Sequence, residues 1–146
     1  MSDTHSNRQP VDKSISVPQL LVRITGLLQI VLGLVFWSGN AKGLVPIHVV
    51  SGIILVLSLW ALAVAGARAG VGNGLVATAA VWGLIVPGLG FSQKSIMHGG
   101  AHWVIQVIHL VIGLIAIMLA EQLATKAIAA AGTSGTTGAS GTTTTA

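Results

Sequence analysis

One histidine-bearing phrase occurs twice in this chain of 146 residues. Ile47-His48-Val49-Val50-Ser51-Gly52-Ile53 recurs as Ile108-His109-Leu110-Val111-Ile112-Gly113-Leu114, a shared pattern of Ile-His-x-Val-x-Gly-apolar. Both copies lie in apolar runs long enough to cross a bilayer. An ionisable side chain in hydrocarbon is unfavourable and as a rule faces the bundle interior, paired or bound to something. Two such groups in equivalent positions predict one shared ligand. A glycine follows each histidine by four residues, on the same helix face one turn along. Gly52 and Gly113 thus clear a slot beneath the two rings.

A flat macrocycle would fit such a slot. Two neutral imidazoles at both axial positions of a haem iron leave no open place for oxygen or substrate, so the centre moves electrons. The expected cofactor is haem b, with His48 and His109 as ligands of its iron. The other ring N–H of a ligating histidine needs an acceptor, and Ser51 or a backbone carbonyl is expected to serve in the second helix. Gly33 and Gly88 are expected to form the other two walls. Gly33 lies four residues before Trp37, and His48 four residues after Leu44, depths of about 6 Å each at 1.5 Å per residue. The site is expected near the outer face, with Lys42, Lys94, Ser38 and Asn40 available to haem propionates. The bland alternative is that glycines pack the helices closely and histidines are interhelical hydrogen-bond partners.

These residues require helices in lipid to hold them. Apolar residues make up 53% and charged residues 7% of the chain, with a mean hydropathy of +0.87, against about a quarter charged in soluble domains. Four apolar runs, at residues 17–37, 44–67, 71–91 and 101–120, each reach the roughly 20 residues a spanning helix needs. Helices are the default, because a lone strand in lipid leaves its backbone unpaired. Arg8, Lys13, Arg23, Arg68 and Lys126 fall on the side of both termini, against Lys42 and Lys94 opposite. Positive charge marks the cytoplasmic side, which predicts cytoplasmic termini and a plasma (inner) membrane location. The scattered cations give no nucleic-acid surface. The first run is too long for a signal-peptide core and lacks a cleavage site, so it is expected to be retained. No cysteine is present, which excludes disulfides, thiolate-held clusters and a thiol nucleophile.

The fold class expected is all-α, an integral membrane four-helix bundle built from two repeated helical hairpins. Ile30-Val31-Leu32-Gly33-Leu34-Val35-Phe36 reappears as Ile85-Val86-Pro87-Gly88-Leu89-Gly90-Phe91, so helix three answers helix one as helix four answers helix two. The halves would be related by an axis along the membrane normal. Helices two and four are then diagonal, roughly 11 to 14 Å apart if neighbours pack at 8 to 10 Å. The expected organisation is a disordered head (residues 1–16), a transmembrane domain (residues 17–131) and a disordered Gly/Ser/Thr tail (residues 132–146) that cannot bury enough apolar area to order itself. The last helix is expected to leave the membrane and run to residue 131.

Over residues 17–120 the chain resembles small membrane-bound b-type cytochromes, whose four-helix bundles hold haem b between histidines of two helices with glycines against the ring. The resemblance is architectural. It implies ligand roles for His48 and His109, haem-packing roles for Gly33, Gly52, Gly88 and Gly113, and one haem, since no second histidine pair exists on the inner side. A redox partner or larger membrane complex is implied, and a quinone or a second copy of the chain is compatible with it. No catalytic residue is expected. The alternative function is a structural or pigment-binding subunit, with a small transporter third.

The other signals are weaker. His102, two turns before His109, could be an alternative ligand, a propionate partner or a proton relay, against an interfacial place beside Trp103. His98-Gly-Gly-Ala-His102 has metal-like spacing, but its glycines oppose a rigid helix and no carboxylate or thiolate accompanies it. His5 lies in the head. Gln29 shares a face with Gly26 and Gly33 and is expected to point inward and bond across helices. Trp37 and Trp103 suit an interfacial belt, Trp60 and Trp82 suit packing, and Arg23 is expected to snorkel to the headgroups. Glu121, the only acid beyond position 12, argues against a proton pump or a carboxylate-based hydrolase.

Overall fold

The computed structural model describes residues 12–39, 41–93, 95–96 and 99–136. Four helices follow one another: α1 (Lys13–Trp37), α2 (Val45–Arg68), α3 (Asn73–Ser92) and α4 (His102–Thr136), with short 3-10 turns at Lys42–Leu44 and Gly99–Ala101. No strand occurs among the described residues. All four are long and apolar enough to cross a membrane. Of the expected head and tail, residues 1–11 and 137–146 lie outside the described residues, as do Asn40, Lys94, His98 and the side chain of Lys42.

Helix ends follow local chemistry. Asp12 caps α1, its carboxylate accepting from the Ser14 amide at 2.9 Å, a contact that holds the carboxyl below its ordinary range. This cap and the burial of Ile15 carry α1 four residues beyond the expected start at residue 17. Pro46, in the first turn of α2, occupies a place where its missing N–H is not needed. The far end of α2 closes with Gly70 at φ +76°, the Val71 amide reaching back to Gly66 O at 2.9 Å and the Gly70 amide to Ala67 O at 3.2 Å. Such a paired closure needs a left-handed residue, hence glycine. The helix α4 also outruns expectation, to Thr136 rather than residue 131. In that last stretch the Thr133 hydroxyl turns back to Ala130 O at 2.8 Å and leaves the helix ladder intact.

The bundle is closed at one end and open at the other. Toward the end bearing the termini, Leu59 and Leu62 of α2 meet Ala116, Ala120, Leu123 and Ala124 of α4, all fully buried. Small residues spaced by four along α4 let α2 approach closely, as they do in lipid-embedded bundles. Gly26 serves the same purpose on α1, where an added Cβ would stand 2.8 Å from Ile117 Cδ1. The helix α2 packs against all three others, while α1 and α3 are the pair held apart. Its apolar window is 44% buried, against 22%, 17% and 22% for the other three helices, which makes it the central one. The expected wide separation of α2 and α4 is therefore not what is found: alanines on α4 close that diagonal. Two indoles stitch the sequence neighbours, Trp60 Nε1 donating to Ala80 O at 3.1 Å and Trp82 Nε1 to Ile112 O at 2.9 Å.

Outside this core the surface is apolar. Leu20, Ile24, Leu27, Leu34, Leu57, Val64, Leu84, Phe91 and Met118 are all exposed. Arg23 pairs with the last helix while its side chain stays 60% exposed. Its guanidinium forks onto Glu121 of α4 through Nε–Oε1 at 2.7 Å and Nη2–Oε2 at 2.8 Å, and Gln19 Nε2 donates to Oε2 at 2.8 Å. A planar fork matches a carboxylate on both oxygens, so the two charges neutralise each other against the apolar wall.

Candidate functional site

The open end of the bundle holds the two repeated histidines. His48 stands in the first turn of α2 and His109 two turns into α4. Their rings nevertheless meet, with centroids 6.3 Å apart and planes inclined by 49°. The difference in position along the two helices is about one turn, near 6 Å, so α4 must begin one turn further out than α2. The 3-10 turn at Gly99–Ala101 and the exposed Trp103 occupy that extra height. Phe36 of α1 meets the His48 ring edge-on, centroid to centroid 5.4 Å at 69°, a favourable quadrupolar arrangement.

Three buried polar atoms here have no hydrogen-bond partner: Nδ1 of His48, Nδ1 of His109 and Oε1 of Gln29. Buried polar atoms are ordinarily paired, and each exception calls for a cause such as an absent ion. Ser51 is not the acceptor expected for His48. Its hydroxyl donates to Ile47 O at 2.8 Å and His48 O at 3.1 Å, because a serine inside a helix bonds most readily to the carbonyls one turn back. Gln29 points inward and bonds across helices as its face predicts, Nε2 donating to His48 O at 2.8 Å.

A divided cavity flanks the imidazoles. One part, about 140 Å³, opens on the α1 and α4 side and includes Gly33, Gly52, Gly113, Leu110 and Leu114. The other, about 580 Å³, opens on the α2 and α3 side and includes Val45, Val49, Ile53, Pro87, Gly90 and Phe91. Both share His48, His109, Gln29, Phe36, Gly52, Val86, Gln93 and Gln106, so the histidine pair borders both parts. Together they reach the 300 to 1,000 Å³ of ordinary cofactor sites. At Gly33 and Gly113 nothing lies within 4 Å of where a Cβ would stand. Gly52 differs, since a Cβ there would lie 2.5 Å from Gln29 Nε2.

Gly88 is exposed and borders neither part of the cavity. The wall of α3 is made by Gly90 instead, where a Cβ would lie 3.2 Å from His109 Cε1. Two residues turn a helix by about 200°, which sends Gly88 to the far side. His102 borders the larger part of the cavity. Ser38 is exposed, its hydroxyl donating to Val35 O at 2.6 Å. Phe36, Gln93, Gln106 and Gly90 were not anticipated. Phe36 had a signal, lying on the stripe Gly26, Gln29, Gly33, Phe36 that recurs every three to four residues, and Gln106 stands one turn before His109. No group of three or more histidine, cysteine or acidic side chains forms a metal cluster among the described residues.

Comparisons with protein-family models, curated proteins and solved structures find no match to this chain.

Proposed function

We propose that this chain is a multi-pass protein of the plasma (inner) membrane that carries electrons on one b-type haem held between His48 and His109. The observation that supports this most is the 6.3 Å between the two ring centroids. Metal–imidazole bonds are about 2.0 Å long. A five-membered ring with bonds of about 1.33 Å has a centre-to-corner radius of about 1.1 Å. Two imidazoles facing each other across one metal then have centres about 6.2 Å apart. The glycine-lined slot and the flanking cavities give a flat group room beside the rings, and ligation through Nε2 would leave each unpaired Nδ1 as an N–H that needs an acceptor. With only two nitrogen ligands and no carboxylate or thiolate beside them, a bare ion would lack most of its coordination shell. A macrocycle brings four ligands of its own.

When bound between two imidazoles, haem iron takes up and gives back one electron and offers no open site to substrate. The chain's residues do the rest. His48 and His109 present neutral rings, Phe36 restricts the rotation of His48, Gly33 and Gly113 leave room for a flat face, and Leu110, Val49 and Ile53 keep water out. The duplicated Ile-His-x-Val-x-Gly phrase supports an origin in two repeated hairpins. The apolar exterior supports insertion in lipid, and the excess of lysine and arginine at the closed end supports cytoplasmic termini. The electron donor and acceptor belong to a redox partner, a larger membrane complex or the quinone pool.

A reduced-minus-oxidised absorption spectrum of the purified full chain, expressed with ample haem, tests this. Bands of a six-coordinate b haem, absent in His48→Ala and in His109→Ala, are expected. Colourless protein of wild-type helicity would return the chain to a structural subunit.

A further inference from the structure

Two of the unpaired atoms in the slot complement each other. A histidine that binds metal through Nε2 carries a hydrogen on Nδ1 that needs an acceptor, and this partner orients the ring and raises its basicity. Ser51, the nearest hydroxyl in sequence, makes no bond to the ring, whose Nδ1 has no partner; its own hydroxyl turns back onto Ile47 O and His48 O. Gln29 is different. Its Nε2 must be the end that donates to His48 O, because a carbonyl can only accept, and this leaves Oε1 as the free end. That oxygen is buried and unpaired, as is His48 Nδ1, and both residues border the same two parts of the cavity. The carboxamide also lies against Gly52, one turn below His48 and 2.5 Å from where a Cβ would be, so a side chain at position 52 would displace it.

We infer that Gln29 is the positioning residue of the site, holding His48 at two points: Nε2 donates to its backbone carbonyl, and Oε1 accepts its Nδ1–H once Nε2 is ligated. This rests on the haem proposal above. It also makes the two ligands unequal. In the second hairpin the residue aligned with Gln29 is Leu84, which is 63% exposed, so the repeat does not give His109 an amide from the equivalent position. His48 becomes the firmly oriented, more electron-rich ligand, and His109 the one whose bond to the metal weakens first.

The test is a haem titration and a redox titration of the full chain in detergent, wild type beside Gln29→Leu and Gln29→Glu. Losing the acceptor in Gln29→Leu is expected to weaken haem binding by about 10- to 100-fold and to raise the midpoint potential, since a less basic ligand stabilises ferric iron less. Gln29→Glu keeps an acceptor and loses the donor, so its potential is expected to fall below wild type. Opposite shifts at unchanged helix content support the assignment. Wild-type affinity in Gln29→Leu, or potentials of both variants moving the same way or not at all, would overturn it while leaving the haem proposal standing. A wild-type chain that takes up no haem would remove both.

Discussion

At the scale of the residue, what matters is that two ring nitrogens and one amide oxygen are buried without partners at a single place. A bilayer offers no water to satisfy such atoms, and chains of this size leave few of them unpaired. Their concentration between four helices marks the site more sharply than any one histidine does. The histidine pair was legible in the sequence because it is duplicated, and Gly52 and Gly113 because a helix returns to one face every four residues. The glycine on α3 was not legible. Gly88 and Gly90 stand two residues apart, and only the helix's rotation against α4 decides which of them meets His109. Ser51 is not the acceptor: its hydroxyl is turned onto the carbonyls of its own helix, and His48 Nδ1 has no partner. The empty space at Gly113 carries a prediction of its own. Gly113→Leu should fill the slot, leave helix content and melting close to wild type, and abolish the haem spectrum. An unchanged spectrum would place the macrocycle elsewhere.

Among the elements, α2 and α4 do the deciding. Their alanine and leucine contact at the closed end fixes the distance at which the histidines arrive about two to four turns away. Ala120 is fully buried in that contact, so Ala120→Leu should force the helices apart at a cost of about 1 to 3 kcal/mol, read from reversible unfolding in mixed micelles. The Arg23–Glu121 fork ties the first helix to the last and closes the ring of helices. Arg23→Ala and Glu121→Ala are each expected to lower the unfolding midpoint, and the double variant to lose less than the two losses added, because either single change leaves a charge without its partner. Strict additivity would show the pair to be idle. The four long apolar helices could be read from composition, because each apolar run has the length of one. The Arg23–Glu121 pairing could not be, since it depends on the axial offset of two helices nearly a hundred residues apart. Nor could the close approach of α2 and α4, which depends on where Ala116, Ala120 and Ala124 fall around α4.

For the whole molecule, the shape is a bundle sealed at the end of its termini and split at the other, clothed in apolar side chains. Orientation has a simple test, since the chain has no native cysteine. Asn73→Cys at the start of α3, on the side of the termini, should react with a membrane-impermeant maleimide only after the membrane is opened, and Ser95→Cys in intact cells. The reverse pattern would invert the molecule. The helical fold was legible at this scale, whereas the split end was not, because a cavity is a property of how four surfaces fail to meet. The central claim is that two imidazoles, one from each half of the chain, grip a single iron. Titrating the apo chain with haem, and recording the electron paramagnetic resonance of the ferric product, tests it most directly. Saturation at one haem per chain with a low-spin signal of two nitrogenous axial ligands, turned high-spin or lost by removing either His48 or His109, is the predicted result. A high-spin wild-type spectrum, or binding indifferent to both histidines, would contradict it.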